Sequence, residues 1–121
     1  MSQSSYKDLV AWQKGMELVA MIYDVTEGFP SHEPFGLVSQ LRRAAVSVPS
    51  NIAEGNAHYS NPDFVRFLRH ARGSLAEIET QVLIAQRRQY LPAPIATKLT
   101  QQLDELSRIL GGLINSLGRE S

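Results

Sequence analysis

Apolar residues recur along this chain at steps of three and four, interrupted in three places by glycine, proline and small polar residues. Leu9, Trp12, Met16, Val19, Tyr23 and Thr26 keep that step and predict a first amphipathic helix over residues 6–27. The segment GFPSHEPFG, with two glycines and two prolines, closes it and makes the longest loop. Leu37, Leu41, Ala44, Val48 and Ile52 predict a second helix over 35–54, with Gly55 as a left-handed cap. SNPD is a start signal in which Ser60 is the N-cap, Pro62 lies in the first turn and Asp63 faces the positive helix end. Phe64, Leu68, Ala71, Leu75, Ile78, Val82 and Ala85 then carry a third helix over 61–89. After QYLPAP, a row from Ile95 through Leu99, Leu103, Leu106, Leu110 and Leu113 to Leu117 carries a fourth over 93–117. Short connections force neighbouring helices to alternate in direction. The expected fold is all-α, one domain over 1–121, an antiparallel up-down-up-down four-helix bundle.

The second helix is unusual. Its segment RRAAVSVPSNIAEG places Ala45, Pro49 and Ala53 in an apolar stripe beside the Ala44/Val48 row, so more than one narrow face is buried. Small residues there admit a second backbone. Pro49 lacks the N–H that would bond the Ala45 carbonyl, which predicts a kink, with Ser47 and Ser50 compensating. Arg43, Ser47, Asn51 and Glu54 share the polar side, where they could line a seam between subunits or satisfy buried polar atoms. Glu54 sits near the negative end of its helix, which calls for a partner such as Arg42, Arg43 or an arginine of another subunit.

Charge and composition narrow the chemistry. Twelve basic residues balance twelve acidic ones, so no overall field draws in nucleic acid or an anionic membrane, and any such contact must come from a local patch. Cysteine is absent, which removes disulfides, thiol catalysis and thiolate zinc sites. No run reaches the roughly 18 apolar residues of a membrane span, and the polar start has no secretory pattern. A cytoplasmic protein that does not engage membranes is expected. A di-iron bundle requires Glu-x-x-His, and none occurs; His32 and His58 fall in loops and His70 has no Glu three residues before it. No nucleophile elbow or phosphate loop surrounds the serines and glycines. Neither a cofactor, a metal, nor a small-molecule substrate is indicated, and the chain reads as nonenzymatic.

Two surfaces are candidates for binding. Arg66, Arg69, Arg87 and His70 lie opposite the Phe64/Leu68 seam with Arg88 beside them, and residues 61–90 carry a net charge of +2. These arginines are the candidate nucleic-acid contacts. On the first helix Leu18, Ile22 and Val25, with Ala11, form a second stripe beyond what one bundle face requires, and these are the candidate oligomer interface.

The segments YKDLVAWQKGMELV, QLRRAAVSVPSNIAEG and FVRFLRHARGSLAEIETQV resemble the four-helix-bundle family of 23S rRNA intervening-sequence proteins, which is related to accessory proteins of diversity-generating retroelements. The resemblance runs from about Tyr6 to Leu117. Its specific motifs are Arg43, Ala44, Ser47, Pro49, Asn51, Glu54 and Gly55, and the Gly73, Ser74, Glu77 segment. It implies an antiparallel bundle assembled as a ring-like homopentamer without catalytic activity, and, for the retroelement relatives, binding to nucleic acid and reverse transcriptase. Those relatives are strongly basic where this chain is neutral. The expected function is a homo-oligomeric scaffold for RNA or an RNA-protein complex; the alternative is a protein-interaction scaffold that does not bind nucleic acid.

Overall fold

The computed structural model describes residues 5–57 and 60–120; His58 lies outside them. Among the described residues there are four α-helices and no strand: α1 (Val10–Thr26), α2 (Leu37–Asn56), α3 (Asn61–Arg87) and α4 (Ala93–Glu120). Each packs on its neighbour in sequence, and α1 also meets α4. The contacts run in opposite chain directions along successive pairs. Gly15 of α1 meets Pro49 while Thr26 meets Arg42; Gly55 of α2 meets Phe67 while Gln40 meets Gln81; Asn61 of α3 meets Leu117 while Arg72 meets Gly111.

The first helix begins later than its periodicity suggests. Tyr6–Asp8 form one 3-10 turn capped by the Ser5 hydroxyl, and Leu9 is extended before α1 starts at Val10. Ends are satisfied locally. Arg42 donates to the Thr26 hydroxyl (3.0 Å) and the Tyr23 carbonyl (3.3 Å), placing a cation at the negative end of α1. Glu33 accepts from the amides of Phe35 (3.1 Å) and Leu37 (2.6 Å), so a carboxylate caps α2 in a place where Gly36 has no side chain to offer. Ser60 caps α3 as expected, accepting from the Asp63 amide at 3.2 Å.

α3 stops at Arg87, two residues before its expected end. Gln89 adopts φ 65°, and the Tyr90 amide returns to the Ala85 carbonyl at 2.9 Å, a left-handed termination built without glycine. Gly55 does the reverse. It does not cap α2: the helix continues to Asn56, Gly55 is buried, and the described positive-φ residues are Gly36 and Gln89. Its missing side chain admits Phe64 and Phe67 of α3.

The apolar rows of α2 and α3 are buried as expected, as are Leu99, Leu103, Leu106 and Leu110 of α4. In α1 the two stripes exchange roles. Leu18 and Ile22 are 1% and 0% exposed inside the bundle core and Val25 packs against it, so they do not form an oligomer interface. Of the row expected to be buried, Met16 and Tyr23 are 45% and 41% exposed, Leu9, Trp12 and Val19 are half-buried against the core, and Thr26 is buried. The cause is Gly15. The buried face of α1 runs Ala11, Gly15, Leu18, Ile22, Thr26, and the small members let α2 approach until a Cβ on Gly15 would lie 3.4 Å from Pro49 Cβ. Counting large side chains favours the wrong stripe when the closest helix contact uses the smallest ones.

Candidate functional site

The second helix motif holds α2 to α3. Ser47 and Ser74 hydroxyls are hydrogen-bonded at 2.5 Å, with the Ala44 carbonyl 2.7 Å from Ser47 Oγ and the His70 carbonyl 3.3 Å from Ser74 Oγ as further acceptors. Asn51 Nδ2 donates to the Ser47 carbonyl at 2.8 Å, and the Ser50 hydroxyl to that of Val46 at 2.8 Å. The serines therefore serve the carbonyls of Ala44 and Val46, on either side of the Ala45 carbonyl that Pro49 deprives of its donor. Ala44, Ala45 and Pro49 are buried. Arg43 and Glu54 are exposed, and neither makes an ion pair among the described residues; Arg42, offered as a partner for Glu54, is occupied by α1 and by the Tyr23 ring 4.5 Å away. Exposed Gly73 has open space beside it.

Along α3 the arginines are exposed but divided. Arg66 and Arg69 belong to its first turns and Arg87 and Arg88 to its end, a separation of about 32 Å between Arg66 and Arg87 at ~1.5 Å per residue. Arg66 lies 3.8 Å from Asp63 and 4.6 Å from the Phe67 ring, whereas Arg69, Arg87 and Arg88 make no ion pair among the described residues. Glu77, Glu79, Leu83 and Ile84 are exposed between the two groups.

Two hollows of the surface lie beside these helices. Exposed Met16 and half-buried Trp12 and Val19 of α1, with Tyr6, face Val46, Pro49, Ser50 and Ala53 of α2 across an apolar groove of about 290 Å³. A second hollow of about 420 Å³ lies where the α1–α2 loop meets the end of α3, lined by Glu33, Pro34, Phe35, Leu37, Gln40, Gln81, Ile84, Arg88 and Tyr90. Sequence reasoning missed both. The groove follows from the rotation of α1, and the hollow joins residues 41 to 57 positions apart. Among the described residues no group of three His, Asp or Glu is placed to hold a metal ion, and no helix is long and apolar enough to cross a membrane.

Residues 7–112 match the family described as 23S rRNA-intervening sequence protein. The chain belongs to that family. A solved structure of similar shape is that of a protein of unknown function from the S23 ribosomal protein family of Bacteroides thetaiotaomicron VPI-5482, with 22% identity and a TM-score of 0.78, covering 87% of this chain and 98% of that one. At that identity the likeness concerns the fold. No curated protein matches in sequence. The matched span takes in the Pro49 motif, the Ser47–Ser74 bridge and Arg66, Arg69, Arg87 and Arg88.

Proposed function

We propose that this chain is a nonenzymatic, cytoplasmic, homo-oligomeric bundle scaffold, assembled as a pentamer, that binds RNA or an RNA-protein complex. The observation that carries the RNA reading is the set of exposed arginines on α3, of which Arg69, Arg87 and Arg88 have no carboxylate partner among the described residues. Guanidinium groups left to solvent are suited to phosphate, and each phosphate contact releases counterions and steepens the salt dependence of binding. Two groups about 32 Å apart suit an extended or folded RNA better than a compact anion. Assembly is supported by the apolar groove between α1 and α2, at which Met16 and Val46 are exposed on a single chain.

Fluorescence anisotropy with labelled RNA across a salt series tests the reading. Wild type should bind at low salt, and charge reversal at Arg66, Arg69 and Arg87 should weaken binding to all sequences alike and flatten the salt slope. Equal binding by the triple variant, or none by wild type, defeats it. The zero net charge and the apolar groove favour the second reading, a protein-interaction scaffold without nucleic acid.

A further inference from the structure

The zero net charge conceals a division between two helices. Glu17 and Asp24 of α1, with Glu27 just after it, are exposed, and none makes an ion pair among the described residues. At ~3.6 residues per turn these three acids share the outward face of the helix, opposite the buried row of Leu18 and Ile22. Lys14 is the one cation of α1, and Glu105 holds it at 3.4 Å. Exposed Tyr23 borders the acidic face. The end of α3 is its counterpart. Arg87 and Arg88 are exposed without an ion pair among the described residues, beside Leu83 and Ile84, each 46% exposed. Thr80, Leu83, Ile84 and Arg87 line a shallow hollow of about 290 Å³, and no other element of the chain contributes to it. The nearest acids of α3 lie two turns or more before Arg87 and turn elsewhere: Glu77 accepts from Gln81 Nε2 at 3.2 Å, and Glu79 lines a hollow toward α4 with Arg72.

The fold sets these two faces apart. α1 and α3 make no contact among the described residues, and each packs on α2 and α4. Both run opposite to α2, so they share a direction and end at the same end of the bundle. The acidic and the basic face therefore lie on opposite sides of one molecule, near the same end. We propose that Leu83, Ile84, Arg87 and Arg88 of one copy receive Tyr23, Asp24 and Glu27 of a second copy. Carboxylates meeting guanidinium groups fix the register, and the aliphatic and aromatic side chains supply the apolar area. Phosphate has no use for exposed Leu83 and Ile84, whereas a helix face does. Two different patches meet, so the contact is heterologous: each copy keeps one face for the next, and the chain of contacts becomes a ring where the rotation closes. The inference rests on the assembly reading above and adds to it two surfaces and a polarity. It gives Arg87 and Arg88 to the neighbouring copy and leaves Arg66 and Arg69 for RNA.

The test measures particle mass of the RNA-free protein by native mass spectrometry and sedimentation, with circular dichroism melts confirming that the variants fold. Arg87→Glu with Arg88→Glu, and separately Asp24→Lys with Glu27→Lys, should each weaken association about a hundredfold or more by setting like charges across the contact. A chain carrying all four substitutions should regain the wild-type mass, because its two faces are again opposite in sign. Arg66→Glu with Arg69→Glu should leave the mass unchanged. Should a reversal disturb the fold, Ile84→Gln at its exposed position probes the same contact and should also lower the mass. A wild-type oligomer whose mass ignores the two reversals or Ile84→Gln overturns these surfaces and leaves assembly standing. A fourfold variant that stays dissociated while folded overturns the pairing of the two faces. A monomeric wild type at micromolar concentration overturns the contact and the assembly reading together.

Discussion

Gly55 and Phe67 stand so close that a Cβ on Gly55 would lie 2.7 Å from the Cβ of Phe67, with Phe64 Cδ1 at 2.9 Å. Two helices meet there through one missing methyl group. Gly55→Ala should therefore destabilise the protein by about 1–3 kcal/mol through overpacking, against the usual gain of alanine over glycine in a helix. Gly112→Ala, with nothing within 4 Å of the new atom, should stabilise it by about 0.5–1 kcal/mol. Opposite shifts in urea midpoint check the pair.

The same reasoning governs the small residues of α2. Ala45 is buried on the face next to Pro49, so Ala45→Leu should cost about 1–3 kcal/mol, although leucine is a good helix former. A melt indistinguishable from wild type would show that propensity, not packing, sets this position.

Gln89 holds a left-handed conformation that a side chain disfavours. Gln89→Gly should raise stability by about 0.5–1 kcal/mol with no change in helix content. Thermal melts at fixed protein concentration measure it, and a loss would mean that the Gln89 side chain does more than turn the chain.

Capping by Glu33 makes a separate prediction. Glu33→Ala removes the acceptor for the Phe35 and Leu37 amides and should cost about 1–2 kcal/mol. Hydrogen exchange should accelerate first at those two amides and in the opening turn of α2.

The outward stripe of α1 separates assembly from folding. Met16→Glu with Val46→Glu should reduce particle size in native mass spectrometry while the chain stays helical. Leu18→Glu with Ile22→Glu should unfold it, because each buried side chain contributes about 1.5–3 kcal/mol. A monomeric wild type at micromolar concentration would remove assembly from the proposal.

Helix number, order and most of the core were legible because α2, α3 and α4 place large apolar side chains on the face they bury; α3 carries an unbroken 4-3 row from Phe64 to Ala85. α1 was misread by about one residue's rotation, since its core face contains Ala11 and Gly15 while Met16 and Tyr23 face out. Gly55 was misread for a related reason: a glycine near a helix end suggests a left-handed cap, and the aromatic pair that requires it belongs to another helix. The α3 arginines were correctly placed on the surface. Their division into two groups follows from the length of the helix. The Gln81 hollow needs two separate segments, 33–40 and 81–90, brought together, which no local pattern encodes.

The succession of contacts from α1 to α4 has a kinetic consequence. Each helix finds its main partner in the segment just made or about to be made, and the pairs Thr26–Arg42, Gly55–Phe67 and Arg72–Gly111 close over modest lengths of chain. The meeting of α1 with α4, where Lys14 reaches Glu105 at 3.4 Å, joins far more remote parts of the sequence. Chains dominated by such local closures fold on the microsecond to millisecond scale. Three helices can thus assemble while the fourth is still being synthesised, leaving the leucine row of α4 as the last piece to dock.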